Sequence, residues 1–97
     1  MDPNNRLSDL IVIANRLIAQ LEIENDALRN HETEIIHTLL DEKATLARVY
    51  ESRFKALLEK PELLDDADPK LREQLKKLAE KLERLIQDNG NLLNVTI

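Results

Sequence analysis

Three leucine-rich stretches of this chain repeat apolar residues at alternating spacings of three and four. Leu7, Leu10, Ala14, Leu17, Leu21 and Leu28 form the first. Ile36, Leu39, Leu40, Ala47, Tyr50, Phe54 and Leu57 form the second, and Leu71, Leu75, Leu78, Leu82, Leu85 and Leu92 the third. That alternation lays one apolar stripe along one side of an α-helix. Such a stripe must be buried against another helix, in the same chain or in a partner. The pattern predicts an all-α fold: an antiparallel three-helix bundle with coiled-coil-like packing, in one domain spanning 1–97.

Helix 1 is expected over about 5–29, with Asp2 or Asn4 as its N-cap. Continuing its heptad past Leu28 would put His31, Thr38, Glu42 and Thr45 in the core, yet the apolar residues return at Ile36, Leu39 and Leu40. The stripe has therefore rotated by about a quarter turn. The rotation falls on the polar run Arg29-Asn30-His31-Glu32-Thr33-Glu34, where no Gly or Pro enforces a break. Two helices or one long bent helix both fit. Helix 2 is expected over about 31–59 and stops before Pro61. An acidic linker, 60–68, follows, with Leu63 and Leu64 tucked against the bundle end. Asp68-Pro69 pairs an N-cap side chain with proline at the first helical position. Helix 3 runs over about 69–89, with Glu73–Lys77 and Glu80–Arg84 as i,i+4 pairs. Asn89-Gly90-Asn91 weakens or ends it, leaving an apolar tail, 90–97.

Composition narrows the function classes. The net charge of −5 disfavours nucleic acid and anionic membranes as partners. It is unevenly spread. Residues 1–68 carry 8 bases and 15 acids, a net −7, and residues 69–97 carry 6 bases and 4 acids, a net +2. An acidic front folding back on a basic third segment follows from that asymmetry. There is no cysteine for a disulfide, thiolate site or thiol nucleophile. The run Leu10-Ile11-Val12-Ile13-Ala14 is far short of a membrane span, and Met1-Asp2-Pro3-Asn4-Asn5 lacks a signal pattern. A cytoplasmic location is expected, with no membrane insertion.

No catalytic constellation, metal set or cofactor site emerges. Glu34-Ile-Ile-His37 matches the Glu-x-x-His element of di-iron bundles, but no second copy exists. His31 and His37 lie about 240° apart on a helix and cannot share a ligand face. Lys43 and Asn89 interrupt the stripes of helices 2 and 3. Lys43 is read as snorkelling or sitting at a bundle end; Asn89 is read either so or as a buried polar residue that fixes register. Beyond one bundle seam, helix 1 carries a second apolar line, Val12, Ala19 and Ile23, nearly opposite the first. With the tail residues Leu92, Leu93, Val95 and Ile97, this line forms the candidate partner-binding set.

The stretch from Leu7 to Arg29 resembles the first helix of FlgN-type flagellar export chaperones, a leucine-rich helix ending in Leu-x-x-Glu-x-x-x-Leu before a short polar break. Leu39-Leu40-Asp41-Glu42-Lys43-Ala44-Thr45-Leu46 resembles that family's Leu-Leu-x-Glu-Lys-x-x-Leu. The likeness spans roughly residues 7–60 and continues more loosely through helix 3. It implies a cytoplasmic, non-enzymatic chaperone of type III export that binds flagellar hook-associated (junction) proteins by helix-in-groove recognition. The family continues into a longer C-terminal helical segment that engages the client, whereas this chain stops at Ile97, as a truncated or reduced member would. The rival is a self-associating coiled-coil scaffold or adaptor, a homo-oligomer with no client.

Overall fold

The computed structural model describes residues 2–96, with side chains through residue 93. Four helices follow in order: α1 (Pro3–Arg29), α2 (Thr33–Glu59), the short α3 (Pro61–Asp65) and α4 (Pro69–Thr96). No strand occurs among the described residues. The molecule measures 45 × 20 × 19 Å, so its length is that of one long helix.

Both ends of α1 and the start of α4 have a local cause. Asp2 caps α1: its carboxylate accepts from the Asn5 backbone N–H at 2.9 Å, and Pro3 takes the first helical turn. Asn4 has another task, accepting from the Asp68 backbone N–H at 2.8 Å and so joining the starts of α1 and α4. Asp68 caps α4 by accepting from the Lys70 N–H at 2.9 Å. The chain between α1 and α2 is broken, not bent. Asn30 ends α1, and His31 takes a left-handed φ of 56°. The Glu32 N–H then reaches back to the Ala27 carbonyl at 2.8 Å, and the His31 N–H to Leu28 at 3.3 Å. These two bonds are a Schellman closure. Histidine is one of the few non-glycine residues enriched in that backbone region.

Two boundaries differ from the sequence expectation. The acidic linker contains a helical turn, α3, whose Leu63 and Leu64 pack against the core beside the buried Ala67. Asn89-Gly90-Asn91 does not end the last helix, which runs on to Thr96. Gly90 keeps helical backbone in open space. Its intrinsic cost of about 1 kcal/mol against alanine is too small to stop a helix held by packing on both sides. The i,i+4 pairs Glu73–Lys77 and Glu80–Arg84 are also not formed within 4 Å; the cross-helix pairs Arg53–Asp9 and Lys81–Glu22 are, at 3.9 and 3.3 Å.

α1 packs against both α2 and α4, which do not pack closely on one another. Contacts place Asp9 beside Arg53 and Glu24 beside Lys43, and Asn4 beside Asp68 and Asn25 beside Asn89. The core lies along α1 in two clusters. One joins Leu7, Leu10 and Ile11 to Leu57, Ala67 and Leu75; the other joins Ala14, Leu17, Ile18 and Leu21 to Leu82. Tyr50 bridges both, its ring 5.6 Å from that of Phe54, and burial raises its phenol pKa above the usual 10.

Of the residues expected at the centre, Leu17, Leu21 and Leu82 are buried, while Leu39 and Leu78 are only half-buried. α2 buries Leu57 alone, because of the long helices it packs closely only on α1 and leaves a flank of its stripe open.

Two substitutions test these placements. Leu82→Ala should lower unfolding free energy by about 2–5 kcal/mol, as for other large-to-small core changes, and Leu39→Ala by clearly less, in urea denaturation. Gly90→Ala meets no neighbouring atom and should raise stability by roughly 1 kcal/mol; a loss would mean the helix does not pass through this position.

Candidate interaction surface

The heptad of α1 runs Leu7, Leu10, Ala14, Leu17, Leu21, and its next core position is Glu24. Glu24 is 1% exposed, and so is its neighbour Asn25. Both face polar residues that break the stripes of the other two long helices. Lys43 Nζ of α2 donates to Glu24 Oε1 at 2.9 Å. Asn89 Nδ2 of α4 donates to Asn25 Oδ1 at 3.0 Å, and Asn25 Nδ2 in turn donates to the Leu85 carbonyl at 3.3 Å. One polar layer thus crosses the bundle near the α1–α2 turn. Lys43 does not simply snorkel, since it is the partner of a buried carboxylate. Glu24 Oε2 is buried with no hydrogen-bond partner among the described residues. Sequence reasoning noted Lys43 and Asn89 but missed Glu24 and Asn25. The signal was present, a charged residue on the heptad step between Leu21 and Leu28.

The layer ties α1 to both of the other long helices, through Lys43 on one side and Asn89 on the other. Glu34 and His37 are both exposed on the first turns of α2. Among the described residues no group of three or more His, Cys, Asp or Glu is placed to hold a metal ion, and no helix is long and apolar enough to cross a membrane.

Apolar surface is where the exterior departs from an ordinary polar helix bundle. Val12 and Ile23 are 53% and 52% exposed, and Ala19 is exposed between them. At 100° per residue the three fall within about 40° of one another, a line roughly 16 Å long down the outer side of α1. No other part of the described chain covers it. Leu92 and Leu93 are half-buried on the last turns of α4 and are not joined to that line. The side chain of Val95, and Ile97 altogether, lie outside the described residues. Sequence reasoning missed a second apolar feature, the open groove between α2 and α4, where Leu58 is more than half exposed. Its signal was the width of the α2 stripe, broader than one neighbour can cover.

No protein-family model, curated protein or solved structure matches the chain. The flagellar-chaperone resemblance therefore rests on the helical motifs quoted above.

Lys43→Met strips the buried Glu24 carboxylate of its cation and should cost about 3 kcal/mol. Adding Glu24→Leu should return most of that loss, because an apolar pair needs no solvation. Thermal melts of the two variants against wild type check this; equal melting of all three would mean the pair is not buried in solution.

Proposed function

We propose that this chain is a non-enzymatic protein-binding module, built as an antiparallel three-helix bundle, which docks a partner helix along the outer side of α1. The observation that carries this reading is the exposed line Val12, Ala19 and Ile23. Val12 and Ile23 with Ala19 between them lay apolar surface in water along one side of the helix, and contiguous surface of that kind marks an interaction site. The inner side of α1 is already filled by α2 and α4, so the outer line has no role in holding the chain together. A helix laid on it would gain about 25 cal/mol per Å² of apolar area buried, before the costs of association.

The partner class comes from the resemblance. The motifs of α1 and α2 support a cytoplasmic type III export chaperone whose clients are flagellar hook-associated proteins, with helix-on-helix capture as its mechanism. Shielding a client's terminal helix requires exposed apolar surface on the chaperone, and α1 supplies it. The self-associating scaffold remains the second reading, favoured by the separate groove between α2 and α4.

Val12→Asp with Ile23→Asp should leave helix content intact by circular dichroism. The same variant should weaken binding of purified hook-associated proteins at least tenfold in calorimetry. Unchanged binding, or no binding by the wild-type chain, would remove the α1 surface or the client class respectively.

A further inference from the structure

We infer that the groove between α2 and α4 is a self-association surface, closed by a second copy of this chain packed through α4 about a twofold axis. This goes beyond the client-binding reading and uses a different face of the molecule.

The groove flank of α4 carries, in order, Arg72, Lys76, Ala79, Glu80 and Glu83. At 100° per residue the four charged positions lie within about 80° of one another. Bases fill its first half, acids its second, and small Ala79 lies between them. None of these four charges is ion-paired within the described residues. Arg72 Nε is buried and lacks a hydrogen-bond acceptor.

A twofold interface uses the same patch on both copies, so the patch must complement itself when reversed. This one does. With two α4 helices antiparallel, Arg72 stands opposite Glu83 of the second copy, and Lys76 opposite its Glu80. Both pairs share a midpoint beside Ala79, so one axis makes four ion pairs, and the small side chain lets the helices approach. The exposed Leu58 on the facing flank of α2 is covered by the same packing. A foreign helix could fill an apolar groove, but it would not require base-then-acid order on the groove wall.

Charge reversal tests the pairing. Sedimentation equilibrium over a concentration series should show wild-type dimers that weaken in 1 M salt, where charges are screened beyond about 3 Å. Glu80→Lys/Glu83→Arg makes the flank wholly basic, and Arg72→Glu/Lys76→Glu makes it wholly acidic. Each variant alone should be a helical monomer, and an equimolar mixture should form a heterodimer. Should Arg72→Glu disturb α4, Lys76→Glu alone must still weaken the dimer. Val12→Asp/Ile23→Asp should dimerise as wild type does, which separates this interface from the α1 line. A wild-type chain that stays monomeric overturns the inference, as does a variant that dimerises alone or a mixture that stays monomeric. Loss of the dimer in the Val12/Ile23 variant overturns it too, by moving the interface to α1.

Discussion

Everything in this molecule leans on α1. Eleven of its residues are buried, against the single Leu57 of α2. Apart from Ala27, they span an arc of roughly 140°, wider than one seam needs. Leu10, Leu17 and Glu24 turn one way, and Ile11, Ile18 and Asn25 the other. Such a helix can hold two neighbours at once without their holding each other. The result is a bundle closed around α1 and open between α2 and α4. That single asymmetry explains why Leu39 and Leu78 are half-buried and why Leu58 meets water.

The polar layer follows from the same arrangement. Apolar stripes with a period near 3.5 tolerate being slid by one heptad, since leucine replaces leucine. Glu24 with Lys43, and Asn25 with Asn89, allow only one alignment each of α2 and α4 on α1. A slip by one heptad would set Glu24 against Ile36 or Tyr50 and part Asn25 from Asn89, leaving a buried carboxylate and amide without their partners at a cost far above that of a misfitted methyl group. A buried ion pair contributes little net stability compared with packed aliphatic side chains. Its effect here is to raise the energy of the wrong alignments, which a chain built from repeated Leu and Glu otherwise resembles closely.

Much of this was legible in the residues. The three stripes, the Asp68-Pro69 start and the stop before Pro61 each have a chemical signature strong enough to read directly, whereas the rotated stripe after Arg29 fits two helices and one bent helix equally. His31 was harder. Nothing in a polar run names the residue that will turn left-handed, and the choice is made by where Ala27 and Leu28 need donors. The continuation through Gly90 was misread because a local propensity of about 1 kcal/mol was set against packing that periodicity alone cannot weigh. The Glu24 contact escaped because a glutamate on a stripe reads as an interruption until its cation is found 19 residues away, on a helix of unknown rotation. The groove required knowing which two of three helices would fail to touch, and that is a property of the assembled bundle.

The two proposed surfaces have a consequence when taken together. Val12, Ala19 and Ile23 point away from the arc of α1 that holds α2 and α4, so the α1 line and the groove lie on opposite sides of the molecule. A twofold dimer closed through α4 would carry both α1 lines outward, one on each far side. Client capture would then not compete with self-association, and each dimer would present two sites. Two sites on one body raise the effective concentration of the second once the first is filled, which favours a client that offers more than one helix. A monomer with a single exposed line has no such preference. Dimer closure also removes apolar area around Leu58 from water and leaves the α1 line exposed. Self-association would in this way close the groove to other partners while keeping the α1 line open to them.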